Sequence, residues 1–296
     1  MTDSTSTTER PPTVAVIGTG TMGSAMARRL VGAGIGTSVW ARHRSSTTDL
    51  VDEGATAFDL AADAAEGSDV VITMLPTADI TEDVMFSGRG LSAMRQGSIW
   101  VQMATIGVDR TERLAERSRT DRPDVVFVDA PVSGSRAPAE SGQLLILASG
   151  PDDAAASLEP VFGALGRATL WLGPAGTGSR MKLVLNTWLA FQTEGAAEAA
   201  ALAEHLGVPT PALFTALRDN PLASPYALSK LTKMVDNDFH ADFALDWALK
   251  DLDLVASDAG PGVAPIAAAI ADRWRVLVRN GSSGLDVSAA RHGLGD

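Results

Sequence analysis

Residues 13–23 of the chain read TVAVIGTGTMG. The first six residues form a short apolar run rich in β-branched side chains, which predicts a buried strand. The run ends in a Gly-x-Gly-x-x-Gly motif, and a helical pattern extends from Thr21 to Val31. In such a strand, turn and helix, the glycines allow a tight turn and a close approach of the backbone, and the helix N-terminus attracts a pyrophosphate. We therefore predict a dinucleotide-binding loop made of Gly18, Thr19, Gly20, Thr21, Met22 and Gly23.

The rest of the first half repeats this alternation of apolar runs and helical patterns, which is typical of βαβ units. Most of the runs are apolar throughout, as in a parallel sheet covered on both faces by helices. The predicted strands are Thr13–Gly18, Thr37–Ala41, Asp69–Leu75, Ser98–Met103, Val125–Ala130, Gln143–Ser149 and Ala168–Leu172. The predicted helices are Thr21–Val31, one after Thr77, Val108–Arg119 and Asp152–Gly163. We expect an α/β fold with a Rossmann-type, doubly wound sheet.

The second half has a different composition. A loop spans residues 174–178, and the segment Ser179–His205 contains no proline and a single glycine, Gly195. This segment predicts one helix of about 40 Å, long enough to link two domains. Further helices are expected at Thr210–Leu217, Pro225–Val235, Asp242–Asp258 and Val263–Val278. We predict a disordered tail (1–12), a dinucleotide-binding domain (13–173) and an all-helical domain (174–296) for substrate binding and oligomerisation.

Composition excludes several classes of function. The 296 residues include no cysteine, and the four histidines are too far apart for the common zinc motifs, so we expect no metal. The net charge of −12, with no basic run, argues against nucleic acid and anionic membranes as partners. The longest uncharged stretch, 17 residues from Pro11 to Ala27, contains the glycine turn and predicts no membrane span. The polar residues 1–12 lack the apolar segment of a secretory signal, so we expect a cytoplasmic protein.

The end of the second predicted strand bears on the choice of dinucleotide. An NAD site usually has an acidic residue about 20 residues after the glycine motif, which accepts from the ribose 2′-hydroxyl. Here the strand ends in Trp40-Ala41-Arg42-His43, and the carboxylate is replaced by a guanidinium that can pair with a 2′-phosphate. The alternative is that Arg42 is a solvated surface charge. The pattern favours NADP, with NAD possible.

Lys182 and Asn186 are four residues apart in the long predicted helix and so share one face near its start. Hydride reduction of a carbonyl leaves an alkoxide that needs a proton, and an ammonium group can stabilise the charge and donate. The chain has only four lysines among its 24 basic residues. A solvated helix residue is the alternative interpretation of Lys182, because lysines are mostly exposed.

Taken together, the motifs resemble those of the β-hydroxyacid dehydrogenases, the family of 3-hydroxyisobutyrate dehydrogenase, related to 6-phosphogluconate dehydrogenase. The resemblance covers about residues 13 to 280. Its five motifs stand in family order: the glycine loop; Met74-Leu75-Pro76; Met103-Ala104-Thr105-Ile106; Asp129-Ala130-Pro131-Val132-Ser133-Gly134-Ser135; and the Lys182, Asn186 pair with the later Lys250-Asp251-Leu252.

The resemblance implies roles for individual residues. Lys182 falls on the catalytic lysine, Asn186 on an amide that holds substrate, and Ser133 with Gly134 on a loop that binds the substrate's carboxylate and hydroxyl. Met74, Leu75, Pro76, Thr105 and Lys250 fall on positions that contact the cofactor, and Asp129 is expected to have a structural role at its turn. Ala104, Ser135 and Thr187 depart from the residues common in the family and leave the substrate open.

The implied function is hydride transfer between NADP(H) and a short β-hydroxy acid or its semialdehyde, with Lys182 as general acid and base. Two alternatives stand beside it. An imine reductase has the same glycine loop and long helix, but a cationic lysine would repel an iminium. A non-catalytic dinucleotide-binding module would have no reason to keep the lysine, the asparagine and the Ser-Gly loop together. The apolar surface of the long helix also predicts a homodimer or homotetramer formed through the helical domain.

Overall fold

A computed structural model describes residues 11–218, 220–260 and 262–295; most of the predicted tail, residues 1–10, lies outside this range. The chain folds into two compact units, of which the first ends at Arg180 and the second begins at Met181. Among the described residues, no helix is both long and apolar enough to cross a membrane.

The first unit contains the predicted parallel sheet. Its six strands are β1 (Val14–Ile17), β2 (Thr37–Trp40), β3 (Thr56–Ala57), β4 (Val70–Thr73), β5 (Ile99–Gln102) and β6 (Val126–Asp129). They lie in the order β3-β2-β1-β4-β5-β6, and Ile17 at the end of β1 pairs with Trp40 of β2 and Thr73 of β4. The later strands are therefore added on both sides of β1, first β2 and β3 on one side and then β4 to β6 on the other. In such folds ligands bind at the point where the strand order reverses, beside β1. The doubly wound fold is confirmed.

A smaller sheet follows, built from β7 (Val132–Ser133), β8 (Leu144–Ala148) and β9 (Gly166–Trp171). β7 is antiparallel to β8, and β8 is parallel to β9. An antiparallel bridge between Asp129 and Ser149 connects the end of β6 to the end of β8. Ser133, expected in a loop, therefore lies in a short strand, because its backbone pairs with Leu145 of β8.

Helices cover both faces of the large sheet. They are α1 (Thr21–Gly32), α2 (Thr48–Asp52), α3 (Ala61–Ala65), α4 (Ala78–Glu82), α5 (Gly90–Ala93), α6 (Val108–Asp121), α7 (Arg136–Glu140) and α8 (Ala154–Leu165). Along β1, Val14 and Val16 face one core cluster, which includes Leu30 of α1, and Ala15 and Ile17 face the other. Burial on both faces explains why the strand is apolar throughout.

The second unit is helical. Its helices are α9 (Thr177–His205), which begins in the first unit, α10 (Thr210–Arg218), α11 (Pro225–Val235), α12 (Leu245–Ala259) and α13 (Pro265–Leu277). The long helix was predicted to start at Ser179 after a loop. It starts two residues earlier because the first amides find acceptors: Gly178 N donates to Ser149 Oγ and Ser179 N donates to Asp129 Oδ2, at 2.9 and 2.8 Å.

Two buried acids hold the helical unit together. Glu194 of α9 accepts from Trp274 Nε1 of α13 at 2.8 Å and is paired with Arg273. Asp286, which is 0% exposed, accepts from Lys230 Nζ of α11 at 2.8 Å. Lys233, three residues after Lys230 on α11, is paired with Asp238 at 3.4 Å. Each buried charge thus has a partner, as buried charges require.

Candidate functional site

The glycine loop joins β1 to α1 at the switch point of the sheet. Gly18 has a φ of +104°, and a Cβ at this position would overlap the carbonyl oxygen of Met74. A Cβ at Gly23 would overlap the carbonyl oxygen of Gly18. At Gly20, by contrast, a Cβ would have no protein atom within 4 Å. Two of the glycines are therefore required by the protein's own packing, and the middle one faces space that a ligand can occupy.

The N-terminus of α1 is suited to an anion. Gly20 is the N-cap and provides no side-chain cap, and the first turn of the helix contains no acidic residue. The first bond of the helix runs from Ser24 N to Gly20 O at 2.9 Å, so the amides before Ser24 have no intrahelical acceptor. Unpaired amides and the helix dipole together bind phosphate groups in many proteins. These features fit the pyrophosphate of a dinucleotide.

Arg42 lies just after β2, beside the glycine loop in the sheet. Its side chain is exposed, and within the described part of the chain no carboxylate pairs with it, whereas the neighbouring Arg44 is paired with Asp59. The segment that follows is tied to the loop because Thr19 Oγ1 donates to Ser46 O at 3.3 Å. A guanidinium without an internal partner fits a 2′-phosphate better than a ribose hydroxyl.

The other predicted contacts of the first unit follow the carboxyl ends of successive parallel strands. Met74, Leu75 and Pro76 come after β4, and Thr105 comes after β5. The segment with Ser133 and Gly134 comes after β6; Ser133 is half-buried and Gly134 is exposed. Because β1, β2, β4, β5 and β6 are parallel, these segments and the glycine loop share one edge of the sheet.

Asp129 ends β6 and caps the start of α9, which is a wider role than the expected one at its own turn. Its carboxyl group is 0% exposed and accepts from Ser179 N, from Ser179 Oγ and from Ser149 Oγ, at 2.8, 2.8 and 3.2 Å. Burial raises its pKa to about 6, and the bonds from Ser179 and Ser149 limit the rise. The carboxyl group therefore fixes the first turn of the helix that carries Lys182.

The second unit brings Lys182, Asn186 and Lys250 into one cluster around Asp251. Asn186 and Asp251 are 6% and 3% exposed, and Asn186 Nδ2 donates to Asp251 Oδ2. Lys250 Nζ lies 2.9 Å from Asp251 Oδ1, without the alignment of a hydrogen bond, and 5.9 Å from the centre of the Trp247 ring. The cluster combines two ammonium groups, one carboxylate and one amide.

Lys182 is half-buried at the second turn of α9. Burial lowers the pKa of its ammonium, the negative charge of Asp251 opposes this effect, and the positive charge of Lys250 adds to it. A lysine whose pKa is moved toward neutrality is suited to giving and taking protons. The ammonium of Lys182 is therefore partly desolvated, unlike that of a freely solvated helix residue.

Asp251 is a member of this cluster for which no role was predicted. Its burial could have been predicted from the pattern of α12, in which the apolar residues Leu245, Ala248, Leu249 and Leu252 form the buried stripe. Asp251 lies three residues after Ala248 and so on the same stripe, where an acidic residue is uncommon unless it is paired.

Two family models match the two halves of the chain. The family model described as the NAD binding domain of 6-phosphogluconate dehydrogenase matches residues 13–173. The family model described as NAD-binding of NADP-dependent 3-hydroxyisobutyrate dehydrogenase matches residues 176–292. The two models together account for nearly all of the described chain.

Individual relatives match over almost their whole length. Glyoxylate/succinic semialdehyde reductase 1 of Arabidopsis thaliana is 30% identical over 281 residues, which cover 93% of this chain and 96% of that protein. The solved structure of Mycobacterium tuberculosis 3-hydroxyisobutyrate dehydrogenase with L-serine has a TM-score of 0.87 at 28% identity and covers 96% of this chain and 99% of its own. An imine reductase from a Pseudomonas species has a lower TM-score of 0.60 at 26% identity, with 95% and 98% covered.

Proposed function

Because the chain belongs to the β-hydroxyacid dehydrogenase family, whose members are NAD(P)-dependent enzymes acting on CH–OH groups, we propose that it transfers a hydride between NADP(H) and a short β-hydroxy acid or the matching semialdehyde. The observation that carries the proposal is the Lys182 cluster. It places a half-buried ammonium on the same helix face as a buried amide. A non-catalytic dinucleotide-binding module would not need this group.

In the proposed reaction the chain's own residues donate and accept the proton and orient the substrate. The cofactor, when bound to the glycine loop, supplies or accepts the hydride. In reduction Lys182 stabilises the negative charge that develops on the carbonyl oxygen and gives its proton to the resulting alkoxide; in oxidation it takes that proton back. Asn186 orients the reacting oxygen, and Ser133 with Gly134 hold the carboxylate end of the substrate.

Turnover of the Lys182→Ala variant tests this role. A positioned general acid contributes about 10² to 10⁴ in rate, so we expect kcat to fall by that factor while NADPH binding, followed by fluorescence, is retained. Lys233→Ala, which removes another lysine of the same unit, is the matched control and should keep the wild-type kcat. Near-full turnover by the Lys182 variant would remove Lys182 from the mechanism.

The substrate class is tested by following NADPH oxidation against a panel of semialdehydes, glyoxylate and cyclic imines. We expect turnover of the carboxylate-bearing aldehydes, because a cationic Lys182 attracts an anion and repels an iminium. Turnover of cyclic imines alone would support the imine reductase alternative instead.

A preference for NADP over NAD is part of the proposal and depends on Arg42. Its exposed guanidinium, which pairs with no carboxylate of the described residues, supports recognition of a 2′-phosphate, as does the missing acidic residue at the end of β2. We expect Arg42→Ala to lower the ratio of kcat/KM with NADPH to kcat/KM with NADH by about tenfold or more, the scale of one charge-assisted hydrogen bond. Arg119→Ala, on the exposed face of α6, should leave the ratio unchanged. An unchanged ratio in the Arg42 variant would end this part of the proposal.

The two parts of the chain have different roles in the proposed function. Residues 13–173 would hold the dinucleotide, and residues 174–296 would contribute Lys182, Lys250 and an interface with a second copy. Exposed apolar side chains on α9 and just after it support the interface: Val184, Trp188, Leu202 and Leu206 are 63, 61, 58 and 65% exposed. We propose a homodimer or homotetramer formed through the helical unit. The cytoplasmic location stays a prediction from the sequence.

A further inference from the structure

The carboxylate of Asp251 has no part in the hydride and proton transfers described above, although it lies within the lysine cluster. It is 3% exposed, and its two oxygens face different partners: Oδ2 accepts from Asn186, and Oδ1 lies 2.9 Å from Lys250 Nζ. Burying a carboxylate costs desolvation free energy and is normally tolerated only where hydrogen-bonding or charged partners compensate for the lost water. The partners here are two residues of the proposed site.

The hydrogen bond with Asp251 fixes the orientation of the Asn186 side-chain amide. An ionised carboxylate can only accept, so the amide must present Nδ2 to Asp251. The carbonyl oxygen of Asn186 then faces away from Asp251 and is left as an acceptor. The ammonium groups of Lys182 and Lys250 are donors in this cluster, and the hydroxyl of the proposed substrate would be another. A neutral partner at position 251 would allow the amide to rotate by half a turn.

The same carboxylate also affects the charge of Lys182. Burial and the neighbouring ammonium of Lys250 both lower the pKa of Lys182, and the negative charge of Asp251 is the one resolved influence that raises it. Removing Asp251 would take away this negative charge and leave the positive charge of Lys250 acting on Lys182. Like charges without a counter-ion favour loss of a proton.

We propose that Asp251 is a positioning residue that orients the amide of Asn186, so that its carbonyl oxygen can accept from the hydroxyl of the substrate, and that supplies the negative charge of the lysine cluster. The kinetic part of this inference rests on the proposed reductase function. The charge part does not, because the protonation of Lys182 can be observed without any substrate.

The experiment compares Asp251→Asn, which removes the charge with little change of shape, with Asp253→Asn. Asp253 lies on the same helix, is exposed and is paired with Arg275, so its variant should behave as wild type. The first readout is an NMR titration of the lysine side chains in protein saturated with NADP⁺. With four lysines in the chain, the Lys182 resonance is identified by its loss in Lys182→Met. We expect the Lys182 titration to move to lower pH in Asp251→Asn and to stay in place in Asp253→Asn.

The second readout is the pH profile of kcat for reduction. We expect Asp251→Asn to lower kcat about 10- to 100-fold, as small misplacements of catalytic groups do, and to move the alkaline limb of the profile to lower pH. In an Asn186→Ala background the same change should cost much less, because the amide that Asp251 orients is then gone. A residue that only supports the fold would lower stability without moving the profile.

An Asp251→Asn variant with the Lys182 titration and the kcat profile of wild type would overturn the inference. If the wild-type protein reduces no compound of the panel, the proposed function fails, and the NMR titration alone still decides the charge role of Asp251. If Asp251→Asn does not fold, Asp251→Glu replaces it. Retention of the Lys182 titration with a reduced kcat then supports the inference, and an unchanged kcat contradicts it.

Discussion

Asp129 couples the pH of the solution to the stability of the dinucleotide-binding unit. Burial raises its pKa to about 6, whereas an exposed aspartate titrates near 3.9. The folded state therefore binds this proton more tightly than the unfolded state, and protonation favours folding. The stabilising contribution is fully present below about pH 4 and is lost as the pH rises through about 6.

The hydroxyl groups around Asp129 explain how a proton is accommodated. Ser179 Oγ lies 2.8 Å from Asp129 Oδ1 and 3.2 Å from Thr111 Oγ1, and Thr111 Oγ1 donates to Gly107 O at 2.7 Å. When Asp129 is protonated it can donate to Ser179, which can donate to Thr111. Each hydroxyl then has both a donor and an acceptor. When Asp129 is ionised, the two hydroxyl oxygens face each other with no proton between them.

We expect Asp129→Asn to imitate the protonated carboxyl group at every pH. Its amide can donate to Ser179 Oγ while its oxygen accepts from Ser179 N, so the variant should be more stable than wild type at pH 7.5 by on the order of 1–3 kcal/mol. The difference should shrink as the pH falls from 7.5 to 5. Calorimetric melting at several pH values measures it, with the exposed Asp63→Asn as control. A difference that does not change with pH would contradict the raised pKa.

The glycine loop allows a matched pair of substitutions. A Cβ at Gly23 would overlap the backbone at Gly18, so Gly23→Ala should cost about 1–3 kcal/mol of stability and weaken NADPH binding. At Gly20 no protein atom lies within 4 Å of an added Cβ, so Gly20→Ala should cost less than about 1 kcal/mol. It should still weaken NADPH binding, because the methyl group occupies the ligand's space. Melting temperatures and NADPH titrations of both variants test this, and equal destabilisation would contradict it.

The contact between α9 and α13 depends on one acid. Glu194 is 6% exposed and is bonded to Arg273 and Trp274. Glu194→Ala leaves the Trp274 indole without its acceptor and Arg273 without its carboxylate, although Arg273 still donates to the backbone carbonyls of Ala290 and His292. We expect a loss of about 2–3 kcal/mol, less than for a fully buried pair because Arg273 keeps a quarter of its side chain exposed. Urea unfolding measures the loss. Glu198→Ala, on an exposed position one turn later, should change stability by less than about 0.5 kcal/mol.

The elements that could be predicted from the sequence are those whose own residues carry a period or a local motif. The parallel strands, the glycine loop and the helix that carries Lys182 belong to this group. The two-residue strands Thr56–Ala57 and Val132–Ser133 could not be predicted, because two residues show no alternation. Two contacts could not be predicted either, that of Asp129 with Ser179 and that of Asp251 with Asn186. Their residues lie 50 and 65 positions apart in the chain, and only the fold brings them together.

At the scale of the whole molecule, the exposed face of α9 predicts how copies associate. Five helical turns take 18 residues, so Val184 and Leu202 lie on one line of the helix, and Trp188 lies on a neighbouring one. Leu206 follows the last turn directly, where its N donates to Leu202 O at 2.9 Å. Apolar side chains exposed in such a stripe mark an interface. We expect light scattering to show a particle of two or four times the 30.7 kDa of one chain. Trp188→Glu should shift it toward the single chain, and a wild-type particle of one chain would end the oligomer proposal.

The few lysines of the chain have a consequence for its chemistry with aldehydes. Lys230, Lys233 and Lys250 expose 6, 14 and 27% of their side chains, and each lies against a carboxylate. Aldehydes condense with free amines to form Schiff bases, but they react far less readily with guanidinium groups, and arginine supplies the remaining surface cations. The proposed semialdehyde substrate would thus meet few side-chain amines to modify. Amine-directed dyes and cross-linkers should label the folded protein poorly for the same reason.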